Sequence, residues 1–169
     1  LDDIISCQSW SRRHRAALIL LAVSMCLHLA ASIFLYAKFG ERVLVFENAD
    51  AGGYISLAKS IVNGEGFSRG GVLAAVRTPA YPLFLALIYA LPVPKVWAIL
   101  ILQNILASAA AVLVFKIGEI LFSRRVGLIA GVLYVMEPYM LMTANLATTE
   151  IFFNFVIVAF GYFFARWYV

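Results

Sequence analysis

The sequence has few charged residues, and only two cysteines and two histidines among its 169 residues. Charged residues make up 13% of the chain, about half their share in soluble domains, which excludes an ordinary soluble fold. Cys7 and Cys26 have neither the number nor the spacing of a disulfide framework or a zinc site. The basic residues form no stripe, so the net charge of +4 does not indicate nucleic-acid binding. No metal-ligand spacing and no cofactor-binding motif is evident.

Hydrophobic residues, in contrast, make up 64% of the chain and gather in long runs. Four runs are long enough to cross about 30 Å of hydrocarbon as helices; they cover residues 16–37, 96–122, 126–145 and 151–169. A fifth run, at 80–91, is shorter and contains Pro82, which fits a re-entrant or interfacial helix better than a span. We therefore predict an all-α polytopic transmembrane bundle, forming a single module over residues 1–169, with an outward loop at 38–95.

The arginines at the ends of these runs predict the orientation, because basic residues favour the cytoplasmic side of a membrane. With four spans and a cytoplasmic N-terminus, all of the flanking arginines are cytoplasmic: Arg12, Arg13, Arg15, Arg124, Arg125 and Arg166. A fifth span at 80–91 would move the last three outside, so four spans fit the charges better. The loop at 38–95 and the turn before Glu150 then both face outward.

The outward loop carries a helical pattern of its own. Apolar residues recur at helical spacing from Tyr54 to Val62. Asp50 precedes them in the position of an N-cap, and Gly64 follows them in the position of a C′ glycine. We predict an amphipathic helix at about 51–63 on the outer membrane surface, followed by a flexible, turn-rich stretch at 64–71.

Three short motifs follow one another in this loop: Asp50-x-x-x-Tyr54, Gly64-x-Gly66-Phe67 and Arg77-x-Pro79-x-Tyr81-Pro82. Together with the spans on either side, they resemble the N-terminal part of the GT-C glycosyltransferases of the dolichyl-phosphate-mannose-protein mannosyltransferase and aminoarabinose transferase type. The resemblance implies an inverting enzyme of the plasma (inner) membrane. Such an enzyme transfers a sugar from a polyprenyl-phosphate donor to a hydroxyl of a lipid, protein or glycan acceptor at the outer membrane face.

Five residues are candidates for this chemistry. The resemblance implies that Asp50 is the general base, which accepts the proton of the attacking hydroxyl. Arg77 is the candidate ligand for the leaving phosphate, because a guanidinium can bind phosphate oxygens bidentately. Glu150 is a candidate for binding the acceptor or supporting the base, and Tyr54 and Tyr81 for lining the substrate groove. Structural roles stay open for all five: a helix cap, a snorkelling arginine, favourable charge at a helix N-terminus and interfacial tyrosines.

Polar residues within the predicted spans have separate interpretations. Glu137 lies in the third span, where an ionisable group is costly, and the adjacent Pro138 predicts a break that lifts it toward water. Gln103 and Asn104 in the second span are expected to form interhelical hydrogen bonds.

A non-enzymatic protein is the alternative: a transporter or flippase segment with acidic residues along a path, or an inactive assembly subunit. The motifs of the surface loop favour the enzyme, since a carrier has no need of them. Members of the resembled family are longer than this chain, so we expect further spans to complete the donor groove. We also expect the chain by itself to show no transfer.

Overall fold

A computed structural model describes residues 2–45, 49–70, 72–74 and 77–169, with side chains from His14 onward in these ranges except that of Ala49. The predicted cytoplasmic positions of Arg12 and Arg13 therefore fall outside the described side chains. The described helices are α1 (Asp2–Phe39), a 3₁₀ helix (Gly40–Leu44), α2 (Ala49–Val62), α3 (Ala80–Ala90), α4 (Lys95–Leu121), α5 (Arg124–Val135), α6 (Pro138–Thr143) and α7 (Thr149–Tyr168). The predicted all-α fold is confirmed.

A small hairpin adds the described β-structure to this helical fold. Strands β1 (Ser68–Arg69) and β2 (Val72–Leu73) pair antiparallel, with Ser68 opposite Leu73. The stretch at 64–71, which we predicted as a flexible turn region, therefore contains β1, the first strand of this hairpin.

Three helical stretches in the described part of the chain are long and apolar enough to cross a membrane: His14–Leu44, Lys95–Leu121 and Thr149–Tyr168. They correspond to three of the four predicted spans, and the protein is a multi-pass membrane protein. The shorter apolar helix Ala80–Ala90 corresponds to the run predicted as a re-entrant or interfacial helix. The count of four crossings and their boundaries stay predictions.

The remaining predicted span, at 126–145, is divided into α5 and α6. Helix α5 has 12 residues and is about 18 Å long, too short to cross the hydrocarbon alone. The break lies at Glu137 and Pro138, where the sequence predicted it. Glu137 is exposed at the N-cap of α6, and its Oε2 accepts a hydrogen bond from the backbone N–H of Met140 at 2.7 Å. Helix capping thus accounts for an acidic residue at this position.

Helix α4 is the centre of the bundle and packs against α1, α5 and α7. Toward its C-terminus, Ala111 and Phe115 form an apolar cluster with Ala17 and Leu20 of α1. Helix α5 approaches α4 closely at Gly127. A Cβ at this position would overlap the backbone carbonyl oxygen of Phe115, so only glycine allows the contact. Such contact through small residues is typical of helices that pack within membranes.

A second apolar cluster lies at the opposite end of the bundle. Here the end of α1 meets the start of α4, with the rings of Tyr36 and Trp97 4.8 Å apart, so the two helices run antiparallel. The same cluster includes Ala51 of α2, Tyr81 of α3 and Ala147 before α7. The loop helices and the α6–α7 connection therefore share one end, and the α4–α5 turn lies at the other. The prediction that the loop end faces outward stays a prediction.

Candidate functional site

Helix α2 positions Asp50 at the loop end of the bundle. The helix begins at Ala49, so Asp50 lies in its first turn, and the prediction that Asp50 is the N-cap was wrong. Its carboxylate is favourably placed there, because the N-terminal end of a helix carries partial positive charge. The side chain is 70% exposed, so solvent and solutes can reach it.

The C-terminal end of α2 matches its prediction. Gly64 has a left-handed backbone with φ of 77°, and its N–H donates to the carbonyl of Ile61 at 3.2 Å. The N–H of Glu65 reaches back to the carbonyl of Ser60 at 2.9 Å. These two bonds form a Schellman motif, which satisfies the last carbonyls of the helix and fixes where the following loop leaves it.

Arg77 forms an ion pair with Asp50 across the loop. Its Nη2 donates to Asp50 Oδ1 at 2.7 Å, and its side chain is 20% exposed. The hydrogen bond to Asp50 is the main cause that raises the pKa of the Arg77 guanidinium. An exposed ion pair typically contributes no more than about 1 kcal/mol to stability. The pair therefore matters here for the positions of its two side chains. It brings the candidate base and the candidate phosphate ligand together.

Two tyrosines extend this pair toward the core. The Arg77 guanidinium lies over the ring of Tyr54, 4.5 Å from the ring centre, at a distance typical of a cation–π contact. The ring of Tyr54 in turn meets Tyr81 edge to face, with the ring centres 5.4 Å apart. Asp50, Arg77, Tyr54 and Tyr81 therefore form one continuous series of contacts.

Gly53 allows Arg77 to approach α2, a role that the sequence analysis missed. A Cβ at this position would lie 2.9 Å from Arg77 Nη2 and 3.0 Å from Cζ. No ordinary side chain fits between α2 and the guanidinium where it now lies. The pair Gly52-Gly53 inside a helical pattern was the signal that could have indicated this contact, since glycine is unfavourable within a helix.

Tyr81 is buried, which differs from the interfacial tyrosine that the sequence left open. Its hydroxyl donates to Gln103 Oε1 in α4 at 2.6 Å. Burial is the main cause that raises the pKa of Tyr81, and the nearby charge of Glu150 adds to the effect. The hydroxyl is thus used in a structural bond, and the residue contributes to a groove wall rather than an exposed surface.

Glu150 lies in the first turn of α7, beside the buried end of the contact series. Its Oε2 atom is buried and has no hydrogen-bond partner within the described part of the chain. The hydroxyl oxygen of Thr148, two residues earlier, is also buried and has no hydrogen-bond partner among the described residues. A buried carboxylate oxygen without a partner is costly, and either water or a polar ligand group would supply the missing hydrogen bond.

An apolar groove runs past this end of the contact series. The groove between α3 and α7 has a volume of about 480 Å³, and its walls are Thr78, Ala80, Tyr81, Thr149, Phe152, Phe153 and Val156. A second groove of about 670 Å³, between α2 and α3, shares Ala80 and Phe152 with it. Both are lined mainly by carbon, which suits an alkyl chain better than a sugar.

Metal ligands are not grouped in the described ranges: no set of three or more His, Cys, Asp or Glu side chains could hold an ion there. At the loop end, Asp50 pairs with Arg77 and Glu150 lies near Tyr81. Both acidic residues were candidates from the sequence because of the family resemblance.

A comparison with protein families finds one that covers more than half of the chain. The family of dolichyl-phosphate-mannose-protein mannosyltransferases matches residues 76–168. The matched segment contains Arg77, Tyr81 and Glu150, whereas Asp50 and Tyr54 precede it. No curated protein and no solved structure matches the chain. From the family match, the chain belongs to the dolichyl-phosphate-mannose-protein mannosyltransferase family, which consists of membrane glycosyltransferases of the GT-C type.

Proposed function

We propose that the protein transfers a sugar from a polyprenyl-phosphate donor to a hydroxyl acceptor at the outer face of the membrane. The observation that carries the proposal is the 2.7 Å contact between Asp50 and Arg77 beside an apolar groove. A carboxylate, a guanidinium and an alkyl-chain groove are the groups that this reaction needs. They lie at one end of a helical membrane bundle.

Asp50 acts as the general base in this proposal. The acceptor oxygen attacks the anomeric carbon, its proton passes to the Asp50 carboxylate, and a new glycosidic bond forms. The bond from the anomeric carbon to the phosphate oxygen breaks, and its electron pair leaves with the phosphate. Attack opposite the leaving group inverts the anomeric centre. The high exposure of Asp50 supports this role, because an acceptor hydroxyl must come within hydrogen-bond reach.

Arg77 stabilises the phosphate that leaves. A phosphate needs no strong general acid, but the negative charge on its oxygens is stabilised by a fixed cation. The guanidinium is charged at any working pH, and its hydrogen bond to Asp50 raises its pKa further. Its bond to Asp50 and its position over Tyr54 hold it in one orientation, and its further N–H groups can bind phosphate oxygens.

The groove between α3 and α7 takes the first part of the polyprenyl chain. Thr78, the residue after Arg77, is part of its wall. The alkyl chain of a phosphate bound to Arg77 can therefore enter the groove directly. Glu150, in the first turn of α7 beside the groove, accepts hydrogen bonds from the acceptor or supports the base through the oxygen that has no partner in the described part of the chain.

The orientation follows the charges. Arg124 and Arg125 begin α5, at the end of the bundle away from the candidate site. We propose that this end is cytoplasmic, in accord with the preference of basic residues for that side. The N-terminus is then cytoplasmic too, and the site faces outward at the plasma membrane.

The test uses the complete gene product in membrane vesicles with a panel of polyprenyl-phosphate-linked sugars. Release of polyprenyl phosphate reports transfer for any acceptor, and the anomeric configuration of the product reports inversion. We expect wild-type protein to consume at least one donor and Asp50→Asn to lose that turnover. Turnover at the wild-type rate by Asp50→Asn removes Asp50 from the mechanism. If the wild-type protein consumes no donor of the panel, the transfer proposal fails in favour of the non-enzymatic alternative.

A further inference from the structure

The connection between α6 and α7 is a non-helical segment that is buried throughout. All five of its residues are buried: Ala144, Asn145, Leu146, Ala147 and Thr148. Backbone groups outside a helix are costly in a membrane protein unless the protein itself satisfies them. The N–H of Ala147 is satisfied by the carbonyl of Leu44, at 2.9 Å. The carbonyls of Ala144 and Leu146 both accept a hydrogen bond from a side chain of α4, and the carbonyl of Leu146 also accepts one from the N–H of Thr148 at 2.8 Å.

That side chain is Gln103, which is buried within the bundle. Its Nε2 donates to the carbonyl oxygens of Ala144 and Leu146, both at 2.9 Å. Its Oε1 accepts the hydroxyl of Tyr81 at 2.6 Å. The amide therefore uses both of its donors and its acceptor. The opposite amide orientation would set an oxygen against two carbonyls, so the three bonds define how the group is turned.

These three bonds join the two halves of the candidate site. Tyr81 is four residues after Arg77, in the segment that carries the phosphate ligand. Leu146 is four residues before Glu150 and belongs to the connection that leads into α7. Gln103 contacts neither Arg77 nor Glu150 through these bonds, yet it ties together the segments on which both are carried.

We propose that Gln103 is a positioning residue, which fixes the separation of the Arg77 and Glu150 segments by bonding Tyr81 on one side and the α6–α7 connection on the other. The catalytic part of this inference rests on the proposed function. An interhelical hydrogen bond was the expectation from the sequence, and any polar residue could provide one. The structure adds that the partners of Gln103, which are Tyr81 and two carbonyls of the α6–α7 connection, lie in the segments of the site rather than along a neighbouring span.

A cross-linking experiment tests the positioning without requiring activity. Thr78 and Thr149 line the same groove, next to Arg77 and Glu150 respectively. Each is replaced by cysteine in a protein whose native cysteines, Cys7 and Cys26 among them, are changed to serine, and a short thiol cross-linker is applied in membranes. We expect efficient cross-linking with Gln103 present and loss of most of the product in Gln103→Leu. Leu20→Ala is the control, because it opens a cavity in the cluster at the opposite end of the bundle. It should keep the cross-link.

The second readout is kinetic and uses the transfer assay. Because Gln103 touches no substrate, Gln103→Leu should lower kcat by about tenfold or more while the donor KM stays within about threefold of wild type. Tyr81→Phe removes one of the three bonds and keeps the ring, so it should lower kcat less. The double variant should lose no more than Gln103→Leu alone, since both changes act through the same contact.

The outcomes separate the two proposals. Undiminished cross-linking in Gln103→Leu overturns the positioning role. If that variant fails to fold, Tyr81→Phe decides: a reduced cross-link supports the role and an unchanged one overturns it. A protein that shows the expected cross-linking but transfers no sugar refutes the proposed function and leaves the link between the two segments standing.

Discussion

Replacing Gly53 with alanine should displace Arg77 without unfolding the loop. The new Cβ would lie 2.9 Å from Arg77 Nη2, whereas ordinary contacts begin at about 3.5 Å, so the guanidinium must retreat by roughly 0.6 to 1 Å. A retreat of that size lengthens the 2.7 Å bond to Asp50 beyond the limit of about 3.2 Å for a good hydrogen bond. The atoms that clash belong to the end of a flexible side chain, so Arg77 moves and the backbone does not.

Gly52→Ala is the matched control for this change. Among the residues that the structure describes, a Cβ on Gly52 meets Val45 Cγ1 alone, at 3.8 Å, which is an ordinary contact. Both substitutions replace a glycine of α2 by a better helix former, worth about 0.5 to 1 kcal/mol of stability in each case. In Gly53→Ala, loss of the exposed ion pair offsets about 0.2 to 1 kcal/mol of that gain. Gly52→Ala should therefore be slightly stabilised, and Gly53→Ala close to wild type.

The activities should differ far more than the stabilities. A displacement near 1 Å at a catalytic group can cost about 100-fold in rate, so we expect Gly53→Ala to lose about 10- to 100-fold in kcat/KM. Gly52→Ala should stay within about twofold, as for a surface change away from the site. The assay is release of polyprenyl phosphate in vesicles, with thermal unfolding of the purified variants alongside. Equal activity of the two variants would refute the assignment of Arg77 to the site.

Three further predictions follow from individual contacts. Gly64→Ala places a Cβ at a φ of 77° and should lower the free energy of unfolding by about 1 to 2 kcal/mol, measured by thermal or denaturant unfolding in detergent. Glu137→Ala removes the cap of α6 and should cost about 1 kcal/mol with transfer unchanged; lost transfer and unchanged stability would instead give Glu137 a functional role. Arg77→Lys keeps the charge but not the planar fork, so the donor KM should rise about tenfold in the vesicle assay.

The parts of the fold that follow from local chemistry could be predicted from the sequence. The apolar runs match the three long helices. A long apolar segment in lipid has no water to bind its backbone N–H and C=O groups, and a helix satisfies them within the segment. The left-handed glycine that follows α2, Gly64, and the break at Pro138 were also predictable, since each depends on the conformational limits of one residue.

The contacts that define the site could not be predicted in the same way. Gln103 was expected to bond a neighbouring helix, but its partners, Tyr81 and the α6–α7 connection, lie 22 to 43 residues away in sequence. The role of Gly53 depends on where Arg77 lies, and this too is set by long-range packing. Asp50 was predicted as the N-cap although it lies within the first turn of α2, because the residue types that cap a helix also favour its first turn.

The central claim is that Asp50 and Arg77 form one site for a lipid-linked phosphate at the loop end of the bundle. An experimental structure of the protein with bound polyprenyl phosphate tests it most directly. We expect a phosphate oxygen within about 3 Å of an Arg77 nitrogen, as in a charge-assisted hydrogen bond, with the first isoprene units in the groove between α3 and α7. A phosphate bound elsewhere, such as at Arg124 and Arg125 at the other end of the bundle, would contradict the account.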